Sequence, residues 1–422
     1  MKEGWKVKKL GEVCITSAGG TPLKSRKEYY KGGDIPWLLS GEVSQGEIYK
    51  AKNFITENGL KNSSAKLFPP DTVLIAMYGA TAGAVGILKF EACTNQAVCG
   101  ILPNNNFDPY FLFYCFLSKK EELVSQAVGN AQPNISQTKI KNTRIPIPPL
   151  PEQQRIVSIL DHCFEAIDKA KANAEQNLQN AKELFESYLQ GVFEKKGEGW
   201  EEKKLGKICD FVRGPFGGSL KKSIFKPEGY AVYEQRHAIY NQFDNVRYFV
   251  DDEKFNEMKR FELKPGNLIM SCSGTMGKIA IAPEGIKKGI INQALLKLAP
   301  SAKITPYYLK YWMESESFQD SLKEYSGGAA IQNVASVKIL KQIVINVPSL
   351  SIQDEVVKKL DDMYEETQRL EIHYQKRIDD LEELKKSILQ KAFAGELKTE
   401  KMVEDTPLAP ISKSVCCEAE KI

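Results

Sequence analysis

Residues 4–14 read GWKVKKLGEVC and residues 199–209 read GWEEKKLGKIC. Gly4, Trp5, Lys8, Lys9, Leu10, Gly11 and Cys14 recur in order as Gly199, Trp200, Lys203, Lys204, Leu205, Gly206 and Cys209, so the chain is one pattern written twice. The match continues outward. PPDTVLIAMYGATAG (69–83) is answered by KPGNLIMSCSGTMG (264–277), TNQAV (94–98) by INQAL (291–295), Pro109-Tyr110 by Pro306-Tyr307, and Asn134-Ile135 by Asn333-Val334. Gln153 inside LPEQQRIVSIL corresponds to Gln353 inside LSIQDEVVKKL. The period is far longer than that of a solenoid, which gives each half room for a core of its own.

Each half divides again. Residues 1–150 hold short apolar runs such as 72–77 and 84–88, broken by Gly, Pro and Asn clusters, and this predicts strands and turns with a few helices. After the proline ridge IPIPPLP (145–151) the chain runs without glycine through Gln190. Ile156, Leu160, Cys163, Ile167, Ala170, Ala174, Leu178, Ala181, Phe185, Tyr188 and Val192 follow one another there in steps of four and three. Leu360, Met363, Thr367, Leu370, Tyr374, Ile378, Leu381, Leu384 and Ile388 repeat the rhythm in the second half. These are heptad seams on two long helices, each spanning on the order of 60 Å for roughly 40 residues. Two such seams in one chain bury each other most economically, and both close alike, in SYLQGVF (187–193) and SILQKAF (387–393). The ridge of Pro146, Pro148, Pro149 and Pro151 reads as punctuation before the first helix.

The expected fold is therefore α+β. Two α/β domains, at 1–150 and 197–349, stand in tandem and each is followed by a long helix, at 151–196 and 350–397. The helices are expected to form an antiparallel coiled coil with internal pseudo-twofold symmetry, and the polar tail 398–422 to be disordered.

With 42% hydrophobic and 27% charged residues among 422, the chain can bury sizeable cores. No run approaches the roughly 18 apolar residues of a membrane span, and MKEGWKVKKL at residues 1–10 lacks a secretory apolar stretch, so a cytoplasmic protein with no membrane partner is expected. Nine scattered cysteines with no C-x-x-C pair indicate reduced, mostly buried thiols. A net charge of +4 is compatible with nucleic acid, although local basic stripes matter more than totals.

Catalytic signatures are missing. The sequence has no N-P-P-F or D-P-P-Y loop for a flipped adenine, and Pro148-Pro149 precede a helix instead. SGTMGKI offers Gly274, Gly277 and Lys278 at the wrong spacing for a P-loop, with Ile279 where a hydroxyl should hold magnesium. His162, His237 and His373 have no ligand-like spacing, and Asp251-Asp252 and Asp361-Asp362 read as solvated charge. No catalytic residue, metal or cofactor is assigned to this chain.

An antiparallel helix pair carrying two unlike domains has an approximate twofold, matching the pseudo-dyad of duplex DNA, and would read an asymmetric two-part site. Lys8-Lys9 and Lys203-Lys204 are placed to touch phosphate, with a solvated strand edge as the competing reading. Trp5 and Trp200 read as core anchors. The shared Asn95-Gln96 and Asn292-Gln293 fit a turn better than base readout, because unlike domains should differ where they read. Gly79, Gly83, Gly274 and Gly277 are assigned to tight turns on the same argument. Base-reading candidates lie where the halves diverge yet stay polar: Thr21, Lys24, Ser25 and Arg26 against Arg213, Ser219, Lys221 and Lys222, with Arg236 and His237 opposite Ser40 and Gly41. Arginine to guanine is the commonest specific contact, which favours Arg213 and Arg236. Asn134, Ser136, Gln137, Thr138 and Lys139 add phosphate contacts or a helix cap.

GW-x-x-KKLGE, the IP-x-PPL-x-EQ-x-RIV helix start and the ending at 389–397 resemble the specificity subunits of type I restriction-modification systems, across nearly the whole chain. The second helix start, VPSLSIQDEVV, departs at Ile352, Asp354 and Glu355. The resemblance implies two target-recognition domains, each reading one half of a split site in double-stranded DNA, held apart by the helices. It implies docking of two modification (methyltransferase) subunits, for which Glu152, Gln153 and Arg155 are candidates. It also places S-adenosylmethionine, ATP and magnesium in modification and restriction partners. The competing classes are a protein-binding coiled-coil scaffold, the recognition part of a restriction or methyltransferase enzyme, and a specificity protein without active partners.

Overall fold

The computed structural model describes residues 4–125, 134–325 and 336–397; the Asn333-Val334 match and the tail from 398 lie outside the described residues. The chain forms two compact units, one of residues 1–172 with 378–422 and one of residues 173–377. In the first, Lys6–Lys9 pairs antiparallel with Arg144–Ile147, the strand that feeds the first long helix. A five-stranded sheet runs in the order Thr16–Ala18, Val98–Ile101, Val73–Ala76, Val85–Leu88, Glu47–Ile48, and a four-stranded sheet in the order Asn53–Ile55, Ile35–Leu38, Ala92–Thr94, Leu67–Phe68.

The second unit repeats this plan. Glu201–Lys204 pairs with Val344–Val347. One four-stranded sheet has the order Cys209–Arg213, Leu295–Pro300, Leu268–Ser271, Ile279–Ile281, and the other Phe249–Val250, Tyr230–Tyr233, Gly289–Ile291, Glu262–Leu263. Both units place a parallel pair at the same position, Ile35–Leu38 with Ala92–Thr94 and Tyr230–Tyr233 with Gly289–Ile291, and the first unit adds another, Glu47–Ile48 with Val85–Leu88.

The central strands are apolar along their length because both faces are covered. Successive side chains point to opposite faces. Val73, Ile75, Ile87, Cys99 and Ile101 therefore enter one core, shared with Phe111, Cys115 and Phe116, while Leu74, Ala76, Leu88 and Val98 enter another. The second unit splits Leu268, Met270, Leu296 and Leu298 from Ile269, Ala280 and Leu295 in the same way. Trp5 and Trp200 pack against the larger cores, as expected of anchors. The repeated Pro-Tyr opens a helix in both units. Asp108 caps Pro109–Ser118 and Thr305 caps Pro306–Glu314, with proline at the first helical position, where a missing N–H costs nothing.

The long helices are Leu150–Glu194 and Leu350–Ala394. In the first unit Asp168 binds Lys385 at 2.7 Å while Lys171 binds Glu382, so the two segments run antiparallel. In the second unit Phe185 meets Tyr364 at 5.3 Å between ring centroids, and Leu189 and Phe193 share a core with Leu360 and the more N-terminal Val356 and Val357, again antiparallel. Each unit therefore takes one half of both helices. The seam is buried or half-buried at every expected position except Leu384, which is 47% exposed. Lys385 takes the inward place instead, its ammonium 4.8 Å from the Phe164 ring centroid and paired with Asp168. Seven of the cysteines are free thiols, and burial pushes Cys99, Cys115 and Cys209 up to about 12.

Candidate nucleic-acid interface

The shared Asn-Gln motif forms a tight turn in each unit. The Asn95 side chain accepts from Ala97 N at 3.2 Å and Val98 N donates to Asn95 O; Asn292 accepts from Ala294 N at 3.0 Å and Leu295 N donates to Asn292 O. The asparagines are consumed locally, which leaves Gln96 and Gln293 exposed at the tips. A neighbouring loop crosses each turn on a glycine. A Cβ at Gly19 would lie 2.1 Å from Thr94 Oγ1, and one at Gly214 would lie 1.8 Å from Asn292 O. Sequence reasoning missed this pair, although both glycines stand five residues beyond the repeated cysteines, Cys14 and Cys209.

From these crossings the loops diverge. In the first unit Thr21 hydrogen-bonds Gln96, Trp37 Nε1 donates to Gly20 O at 3.0 Å, and Tyr30 donates to Pro22 O. The brace leaves Lys24, Ser25 and Arg26 exposed, with Arg26 3.3 Å from Glu28. Gln137 joins the same sheet edge by donating to Thr16 Oγ1 at 3.2 Å. Ser136 is the cap of helix Gln137–Asn142, accepting from Lys139 N, so its hydroxyl is engaged as the competing reading anticipated. Thr138 is exposed and Asn134 bridges to Tyr78.

In the second unit Arg213 ends its strand and its guanidinium reaches the Cys272 thiol, while Ser219, Lys221 and Lys222 are exposed on the loop beyond. Arg236 stands half-buried on helix Gln235–Tyr240, whose Gln235 accepts from Ser273 Oγ at 3.1 Å. The alignment of this helix with the first unit shifts by one. Glu42 and His237 occupy the same capping position, accepting from Leu39 N at 2.9 Å and Glu234 N at 2.8 Å, so Arg236 corresponds to Gly41 and not to Ser40. His237 is fully buried against Tyr233 and Phe243, which removes it from the readers. Burial lowers its pKa below the ordinary value, against the raising effect of the Glu234 carbonyl.

The lysine pairs lie apart from these loops, on the two-stranded ribbons at the roots of the long helices. Lys8 and Lys9 are exposed opposite Ile145 and Arg144. Lys203 pairs with Glu201 at 2.9 Å and Lys204 donates to Gln342 at 2.8 Å. Beside them the repeated glycines are explained, because Cβ atoms at Gly11 and Gly206 would meet Lys141 and Lys341 at 3.2 and 2.8 Å.

Other sequence candidates resolve into structure. Gln153 is buried, not a docking residue: it donates to Asn106 O and Pro148 O and accepts from Asp108 N. Gln353 makes the same three bonds to Lys303 O, Pro348 O and Thr305 N. Asp361 accepts from Tyr311, as Asp161 does from Tyr114, and Asp251 caps a helix. Gly79, Gly83, Gly274 and Gly277 all have positive φ in strand-to-strand turns, and the turn through Gly277 leads into a strand where a P-loop would lead into a helix.

Two copies of one α+β unit thus each lay a different loop over a common turn. The profile of the type I restriction modification DNA specificity domain matches residues 2–178 and 197–382, and the chain belongs to that family, with two specificity domains in tandem as in a type I specificity subunit. It is 25% identical to the type I restriction enzyme MjaIX specificity subunit of Methanocaldococcus jannaschii, over 94% of each chain. It is 26% identical to the EcoKI specificity subunit of Escherichia coli K12, over all of this chain and 95% of that one. Among solved structures, the HsdS subunit from Thermoanaerobacter tengcongensis shares the fold at TM-score 0.63 and 20% identity, over 94% of this chain and 98% of that one. A chain from a type I R-M system, studied for complex assembly and conformational transition, does so at TM-score 0.75 and 22% identity, over 94% and 99%.

Proposed function

We propose that each unit reads one half of a bipartite, asymmetric DNA site, and that the long helices set the spacing and dock the modification subunits. The observation that carries this reading is the contrast within the repeat. The Asn-Gln turn and its crossing glycine are held constant, while the loop above changes from TPLKSR (21–26) to PFGGSLKK (215–222). A constant platform under variable polar side chains is what two readers of unlike sequences need. Lys24, Arg26, Arg213, Lys221, Lys222 and Arg236 are the base and phosphate candidates, with Gln137 and Lys139 flanking them; Ser136 contributes its cap. Lys8, Lys9, Lys203 and Lys204 contact the DNA backbone at the helix roots. The complex assembles in the cytoplasm with two methyltransferase subunits, which bind S-adenosylmethionine and modify adenine, and with restriction subunits that use ATP and magnesium. This chain supplies address and geometry, not chemistry.

The test is to co-express the chain with its modification partner, map methylated adenines across the genome, and repeat the map after exchanging residues 1–150 for those of a relative. A split motif in which one half alone changes supports the reading. A chain that retains its partner while no split motif appears supports the scaffold.

A further inference from the structure

Phe216 is 93% exposed, more than any other large hydrophobic side chain among the described residues. It does not sit on a slack loop. Gly214 is locked over the Asn292 carbonyl and donates to Leu295 O at 2.9 Å, Pro215 is buried, Ser219 N closes a turn onto Phe216 O at 2.8 Å, and Leu220 is buried in a core. Both feet of the loop are thus anchored and the ring alone is left outside. Burying a phenylalanine is worth roughly 2–3 kcal/mol, so a fold that braces one outside its core derives no stability from it. The surroundings select its partner. Arg213 lies three residues before, Lys221 and Lys222 lie five and six after, and both lysines are exposed, with no ion pair to them among the described residues. An exposed apolar ring flanked along the chain by cations suits a polyanion that also offers flat apolar surface, which is stacked bases beneath phosphates. The corresponding loop of the first unit carries Leu23, 61% exposed, beside Lys24 and Arg26.

We infer that Phe216 is a wedge that inserts between adjacent base pairs of the duplex read by the second unit, unstacking one step while the neighbouring cations hold the phosphates. The inference rests on the DNA-reading function proposed above and deepens it. Specificity would then include the deformability of a step that no hydrogen bond reads, with flexible pyrimidine–purine steps preferred.

The experiment uses the full chain assembled with its modification partner, and duplexes carrying the motif obtained by methylation mapping, with 2-aminopurine placed at successive positions. Wild type should raise the fluorescence at one step. Phe216→Ala should abolish that rise and weaken binding about tenfold or more, within the range of single stacking contacts. Its melting temperature should be unchanged, because the ring is packed against nothing, and so should the slope of log affinity against log salt, because no phosphate contact is lost. Phe216→Trp should retain the rise. If wild type binds the duplex while Phe216→Ala matches it in affinity and fluorescence, the wedge is overturned. Normal DNA behaviour with impaired partner retention overturns it in favour of a protein contact. A wild-type assembly that binds no motif duplex overturns the DNA-reading assignment itself.

Discussion

Two glutamines, Gln153 and Gln353, show what the repeat conserves and why. Each is buried, donates to two carbonyls and accepts one amide, tying the start of a long helix to the loop before the capped Pro-Tyr helix. Gln353→Glu keeps the shape but loses both donors, leaving Lys303 O and Pro348 O unsatisfied beside a buried carboxylate. At about 1–3 kcal/mol for each orphaned group, the second unit should lose roughly 2–6 kcal/mol, read as a lower urea midpoint. His237 supplies a second test in the same unit. Its pKa is depressed in the folded state, so the unfolded chain binds the proton more readily. Stability should be fully present above the unfolded value near 6.5 and fall as pH drops below it. Hydrogen-exchange protection factors of the second unit, corrected for the intrinsic rates at pH 7.5 and 5.5, should fall at the lower pH in wild type and change little in His237→Gln. The repeat itself was legible, and so were the positions of Gln153 and Gln353. Their burial was not, because a glutamine on a charged helix gives no sign that two of its three backbone partners come from a loop some 45–50 residues away.

At the scale of elements, the matching endings SYLQGVF and SILQKAF acquire a reason. Leu189 and Phe193 enter the core of the second unit, where Phe193 meets Tyr308 at 5.3 Å; Leu389 and Phe393 enter the core of the first, where Phe393 meets Phe111 at 5.2 Å. Each ending therefore completes the unit that does not precede its helix. Leu389→Ala should cost about 2–5 kcal/mol and raise hydrogen exchange in residues 109–118, while Leu189→Ala should do so in residues 306–314. Retained protection of 109–118 in Leu389→Ala would contradict the assignment. The heptad rhythm predicted both helices but misplaced Leu384, because a seam counted on apolar residues skips a lysine whose stem packs inward while its ammonium finds Asp168. The loop crossings were legible only as aligned glycines. Gly214→Ala should displace the 215–222 loop and abolish binding of duplexes by the assembled protein, whereas Gly218→Ala, with nothing within 4 Å, should bind normally.

For the molecule as a whole, a net charge of +4 set by 58 basic and 54 acidic residues cannot by itself carry the affinity of a DNA reader. The exposed helix faces interleave their charges in pairs such as Lys359 with Glu355 and Arg369 with Glu365, which cancel within a Debye length of about 8–10 Å. On the reading proposed above, the attraction comes from the cations of the divergent loops, with those of the helix-root ribbons beside them. Each phosphate contact steepens the dependence of log affinity on log salt by about 0.9. Replacing Lys221 and Lys222 together by glutamine should therefore flatten the slope by up to about 1.8 without altering the methylated motif, while replacing Lys358 and Lys359 should leave it unchanged. A flattened slope accompanied by a changed second half-site would move these lysines from phosphate to base edges. An unchanged slope would place the electrostatic footprint on Arg213 and Arg236, and titrating those two by the same measurement would locate it.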